Sequence, residues 1–138
     1  MINKLILTIF FLIFFTSVAS SSEKINEFKI SGNDRISDET IILFTGYKIN
    51  DSINDNDLNE IIKRLYDTNF FEDLSITFEK NIVSISLKEN PLIQTIIFEG
   101  IKKESLVEKI KEILIQKEKS SFIESKIKED KNRITNSL

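Results

Sequence analysis

The sequence predicts an α+β fold. Its first unit runs strand–helix–helix–strand–strand, a three-stranded mixed sheet with two helices on one face, and an incomplete second unit follows. Three observations predict this. Apolar and polar residues alternate around Phe28 and Ile30, from Leu74 to Phe78 and from Val83 to Leu87, the two-residue period of strands with one buried face. Between the first two of these runs, Leu58, Ile61, Ile62 and Leu65 recur at helical spacing and form one apolar stripe. The pattern then restarts near Ile93 at a constant offset from the first unit, and an internal repeat points to an array of similar modules.

The chain opens with Lys4, a nearly unbroken apolar run from Leu5 to Phe15, and the small residues Ser17-Val18-Ala19. This is the layout of a secretory signal peptide over residues 1–19. A helix that crosses a bilayer needs about 20 apolar residues, so the run is short for a permanent anchor and the rest is expected to be exported. The alternative is retention of residues 5–19 as an anchor, which N-terminal sequencing distinguishes.

Removing residues 1–19 takes away one base, Lys4, and no acid, so the 19 bases of the sequence become 18 against 22 acids. The remaining length holds one ordinary domain or two small ones. A mildly acidic balance argues against a nucleic-acid partner. The sequence contains neither Cys nor His. Disulfides are therefore excluded, and most metal sites and nucleophile–base pairs with them. The acids are scattered among lysines on polar faces, so no enzyme activity, metal or cofactor is expected.

The first unit begins with a strand over Ile25–Ile30, ended by Ser31-Gly32-Asn33-Asp34, residues suited to a turn. Ser37 followed by Asp38-Glu39 fits a helix start; Ile41, Ile42 and Phe44 give that helix an apolar side, and Gly46 stops it. A second helix starts at Asn54 or Asp55, with Asn69 placed for a left-handed C-terminal residue. Leu74, Ile76 and Phe78 alternate with Ser75 and Thr77. After a short turn at Glu79-Lys80-Asn81, Val83, Ile85 and Leu87 alternate with Ser84, Ser86 and Lys88, and the two runs read as a hairpin. Its oily face meets the helices and its polar face meets water.

Glu89-Asn90-Pro91 punctuates the chain. Ile93, Ile96, Phe98 and Gly100 echo Ile25, Phe28, Ile30 and Gly32, and Ser105 echoes Ser37 at a helix start. Leu106, Ile110 and Ile113 or Leu114 give that helix its stripe, while Ile127 and Ile134 echo Leu58 and Leu65 with the offset lengthened by one position. The hairpin has no counterpart before Leu138, so the expectation is a fragment or truncated product with a loosely held last portion. Residues 20–101 carry 8 bases and 15 acids, whereas residues 102–133 carry 10 bases and 7 acids. The bland reading of this contrast is a solvated surface.

Three segments carry a family resemblance. Residues 30–41, ISGNDRISDETI, resemble the opening of the first POTRA repeat of the outer-membrane protein assembly factor BamA family. Residues 62–74, IKRLYDTNFFEDL, resemble its second helix and entry to the hairpin. Residues 89–100, ENPLIQTIIFEG, resemble the junction into the second repeat. The resemblance implies POTRA domains at 25–90 and, incomplete, at 91–138. The family usually has Gly where Asn69 stands and Asn where Ile101 stands, and its later repeats and β-barrel have no counterpart here. It also implies a periplasmic scaffold at the outer membrane that guides unfolded outer-membrane β-barrel proteins and docks assembly lipoproteins and a periplasmic chaperone, without catalytic residues or cofactors. A two-partner-secretion-type protein and a membrane-anchored, single-POTRA division-type protein are the alternatives.

In such folds the first hairpin strand lies at a sheet edge, which places Leu74, Ser75, Ile76, Thr77 and Phe78 there as the candidate client-binding strand. Neither Pro nor Lys lies inside it, the usual guards of an edge that stays single. Phe71 is expected to pack under the helices, Arg35 to be solvated, and Tyr66 to sit at the core margin.

Overall fold

The computed structural model describes residues 23–137; the expected signal peptide and Leu138 lie outside them. The elements are β1 (Glu23–Lys24), β2 (Glu27–Ser31), α1 (Asp38–Thr45), β3 (Ser52–Ile53), α2 (Asp55–Asp67), β4 (Phe71–Glu79), β5 (Ile82–Glu89), α3 (Glu104–Ile113) and α4 (Glu124–Ser137). The main sheet has the order β2-β5-β4, with β2 parallel and β4 antiparallel to the central β5.

The strand expected over Ile25–Ile30 begins only at Glu27, and a separate two-residue strand, β1, precedes it. β1 pairs antiparallel with the short β3, and β2 pairs with β5. Between them Ile25 turns fully into the core, and its amide and carbonyl bond to Asp51 O and Asn50 N. β3 has only two residues, too few to show a period, which is why the sequence does not announce it.

Both helix starts follow their cap residues. Ser37 Oγ accepts from Thr40 N, and Gly46 ends α1 in the left-handed region. Asn54 closes a capping box with Asp57, satisfying amides that the first helical turn leaves free. Asn69 takes φ +60 just past α2, the geometry that Gly would supply.

The core lies between the two helices and the sheet. Ile41 of α1, Ile61 and Leu65 of α2, and Val83 and Ile85 of β5 are almost wholly buried with Ile25 and Ile53. Leu58, Ile62, Ile76 and Phe78 pack at its margin. Burial of one such side chain contributes about 1.5–3 kcal/mol. An exposed ion pair such as Lys63–Asp67 or Glu60–Arg64 contributes about 0–1 kcal/mol. Packing, not surface charge, therefore holds this unit.

The second unit repeats the first in its bonds. Ile93 N donates to Ser120 O and Lys119 N to Ile93 O, as Ile25 N does to Asp51 O and Asn50 N to Ile25 O. Lys119 takes φ +62 where Asn50 takes φ +74. Arg133 pairs with Glu129 and reaches Ile113 O, as Arg64 pairs with Glu60 and reaches Thr45 O. Two expectations need correction. Residues 93–99 form no strand, because no hairpin lies beside them among the described residues. Ser105 is not the cap of α3: the helix begins at Glu104, and Lys103 precedes it without a side-chain cap bond.

Candidate functional site

β4 becomes an edge because of the order of the elements. The chain returns from the hairpin turn through β5, which slots between β2 and β4. The turn consists of Lys80 and Asn81 at φ +52 and +65, between the paired residues Glu79 and Ile82. Two central residues with positive φ make a type I′ turn, which suits the right-handed twist of a hairpin. The turn is tied down by Asn81, whose Nδ2 donates to Lys24 O at 2.7 Å and whose carbonyl accepts from Asn26 N at 2.7 Å.

That turn sets the direction of every backbone group in β4. In a two-residue hairpin the flanking pair exchanges both hydrogen bonds, and bonded and non-bonded positions then alternate. Glu79, Thr77 and Ser75 bond inward to β5. The N–H and C=O of Phe78, Ile76 and Leu74 point outward, where β4 has no partner among the described residues.

The side chains alternate the other way. Leu74 is buried and Ile76 and Phe78 are half-buried against the helices, while Ser75 and Thr77 are exposed. Small hydroxyl side chains thus flank a free backbone edge. At its entry the strand is bulged between Phe71 and Asp73, and Glu72 pairs with Lys88 at 2.9 Å. Guard-like charges therefore sit at the ends of β4, and Leu74–Phe78 carries none. The chemistry available at this strand is backbone pairing with an extended chain. Among the described residues no cluster of three or more acids could hold a metal ion.

The segment matches the family model described as POTRA, surface antigen variable number repeat, over residues 23–90. Residues 23–90 are a POTRA domain. The chain is 28% identical over 111 residues to the outer membrane protein assembly factor BamA of Neorickettsia risticii (strain Illinois). That alignment covers 80% of this chain and 15% of the relative, so the chain spans a small part of that curated protein. Two solved structures share the fold. The N-terminal domain of Omp85 from the thermophilic cyanobacterium Thermosynechococcus elongatus has a TM-score of 0.58 at 12% identity, over 85% of this chain and 51% of that one. POTRA1-2 of the periplasmic domain of Omp85 from Anabaena has a TM-score of 0.56 at 12% identity, over 86% of this chain and 80% of that one.

The POTRA domain also contains a bonded group that sequence reasoning missed. Glu89, at the end of β5, is 6% exposed at its side chain. Its Oε1 accepts from the amides of Asp34, Arg35 and Ile36 at 2.9–3.0 Å, and its Oε2 from Arg35 Nε at 2.8 Å. Burial alone would raise its pKa. The three amides and the guanidinium outweigh burial and hold the carboxyl below the ordinary glutamate value. Arg35 also donates to Asn90 O at 2.7 Å, so it is engaged and not merely solvated, as the sequence led one to expect. A charge with no periodic pattern around it leaves no signal for such a role.

The aromatic residues fall as expected in part. Phe71 is buried. Phe70 stays partly exposed and stacks on Phe44 with ring centroids 5.8 Å apart. Tyr66 is exposed at the margin.

Proposed function

We propose that this chain is a periplasmic binding and scaffold module of the outer-membrane protein assembly machinery, which passes unfolded β-barrel proteins toward membrane insertion. The BamA relative and the Omp85 periplasmic-domain folds support the placement. The observation that carries it is the unguarded outer edge of β4, from Leu74 to Phe78. An extended client can add itself there as a further strand through backbone bonds, with little dependence on its sequence. Assembly lipoproteins and a periplasmic chaperone are the proposed docking partners, and no enzymatic role is part of the proposal. The in-register bonds of the second unit support reading residues 25–90 and 91–138 as successive POTRA repeats behind a signal peptide at 1–19. Among the described residues no helix is long and apolar enough to cross a membrane.

The test is a proline at Ile76, which deletes an outward donor and leaves the β5 ladder intact. Ile76→Pro is expected to abolish crosslinking of unfolded barrel-protein peptides to β4 while the circular dichroism of the fold persists. Thr77→Pro breaks an inward bond and is expected to lower stability instead. Undiminished crosslinking to folded Ile76→Pro protein would overturn the assignment of the edge.

A further inference from the structure

A groove of about 360 Å³ runs between the two units. Phe70 of the first unit and Ile115 and Ile123 of the second give it apolar walls, and Lys119 and Lys126 line it as well. None of its lining residues is an acid. Among the described residues neither lysine makes an ion pair, although residues 20–101 beside them carry 8 bases and 15 acids. The hairpin of the first unit shows that a following hairpin does not cover this face. With that hairpin in place, Asn50, the counterpart of Lys119, is exposed as Lys119 is, and Asp57, the counterpart of Lys126, is half-buried as Lys126 is. A complementary patch adjoins the groove. Phe70 stacks on Phe44 of α1 with ring centroids 5.8 Å apart. Leu43, next to Phe44, is 76% exposed. Glu39 is exposed four residues before it, and residues at that spacing share one helix face. Helix α1 carries no base, and Glu39 makes no ion pair among the described residues.

We infer that this face is an interface between two copies of the chain: α1 of one copy presents Leu43 and Glu39 to the groove of the other, and receives the same pair in return. Charge and shape specify the occupant. An exposed leucine one turn from an unpaired acid matches apolar walls flanked by two unpaired lysines, and both halves of the match lie on this chain. The halves adjoin through the Phe44–Phe70 stack, so a single two-fold rotation brings each against its complement and closes the assembly at a dimer. Leu43 is the apolar anchor of each half. Glu39 against Lys119 and Lys126 fixes the register and speeds encounter. The interface shares no residue with the Leu74–Phe78 edge, so the two can be tested apart.

Sedimentation equilibrium of the full chain tests this, with circular dichroism to check that each variant keeps the fold. The wild type is expected to dimerise as its concentration rises, and less so at high salt, which screens exposed charges. Glu39→Lys, and separately Lys119→Glu combined with Lys126→Glu, set like charges against each other in both halves of the dimer. Each is expected to raise the dimer Kd about tenfold or more, and Leu43→Ser, which removes the anchor, by about as much. An equimolar mixture of the Glu39→Lys chain with the doubly substituted lysine chain is expected to dimerise again, because every reversed charge then faces its opposite. A wild type that stays monomeric would overturn the interface, as would dimers unchanged in Glu39→Lys and Leu43→Ser, or a mixture that fails to recover. Binding of a peptide with the sequence Asp34–Thr45 to a chain that stays monomeric would make a separate acidic polypeptide the occupant and also overturn it.

Discussion

Glu89 shows how one buried charge can organise a junction. Its carboxylate replaces water with three backbone amides and a guanidinium from residues 34–36, and Arg35 carries the link on to Asn90 O. Asn90 in turn donates through its amide to Phe70 O and through Nδ2 to Asn69 O. The loop before α1, the end of β5 and the start of the second unit are therefore fastened at one point. Glu89→Gln keeps the shape and removes the charge. Hydrogen bonds to a charged group are worth about 1.5–3 kcal/mol, so the variant is expected to lose about 2 kcal/mol in urea unfolding at pH 7. The sign of the pH dependence follows from the lowered folded pKa. The carboxylate's contribution is complete above the unfolded value of 4.5 and is lost as pH falls through the folded one. The difference between wild type and Glu89→Gln should therefore shrink below pH 4.5. A difference that stays constant from pH 7 to pH 3 would mean that the ionisation of Glu89 is not its source.

The elements divide into those whose pattern is local and those whose role depends on a partner. Strands β4 and β5 and helix α2 could be read from the sequence because their alternation and their stripe lie within consecutive positions. The candidate edge could be named for the same reason, although the sequence could not tell Ile76 from Thr77 as the outward donor; that needed the register set by Lys80 and Asn81. The break at Ile25 and the two-residue β3 were not legible, because each is fixed by a partner distant in the chain: Ile25 by Asn50 and Asp51, and β3 by β1. Residues 93–99 have the composition of a strand and lack a ladder, since alternation can specify a face but cannot supply the neighbour. The paired glycines test this at the level of the element. Gly32→Ala brings a methyl onto Leu87 O and also strains a left-handed position, so a loss of about 3 kcal/mol or more is expected. Gly100→Ala meets open space and should cost only the left-handed penalty of about 1–2 kcal/mol. The two variants are compared by thermal melting of the full chain. Equal losses would mean that the space beside Gly100 is filled in solution.

At the scale of the whole molecule, the two repeats share bonds but not a core. The first unit buries Ile25, Ile41, Ile53, Ile61, Leu65, Val83 and Ile85 almost completely. In the second, Ile110 is the one hydrophobic residue among those described that is buried. The position of Ile61 is taken there by Asp130, which is 6% exposed and accepts from the amides of Ile115 and Gln116. A satisfied carboxylate fixes a loop, but it contributes none of the apolar burial that an isoleucine supplies. Helices α3 and α4 therefore rest mainly on each other and on the joint at Pro91–Phe122. Isolated helices of 10 and 14 residues are marginal in water. The molecule should thus open in two steps, with the second unit first. In native-state hydrogen exchange of the full chain, amides of α3 and α4 are expected to exchange through an opening at least about 2 kcal/mol below that of α2 and β5. Uniform protection across both units would mean that a single cooperative core spans the chain.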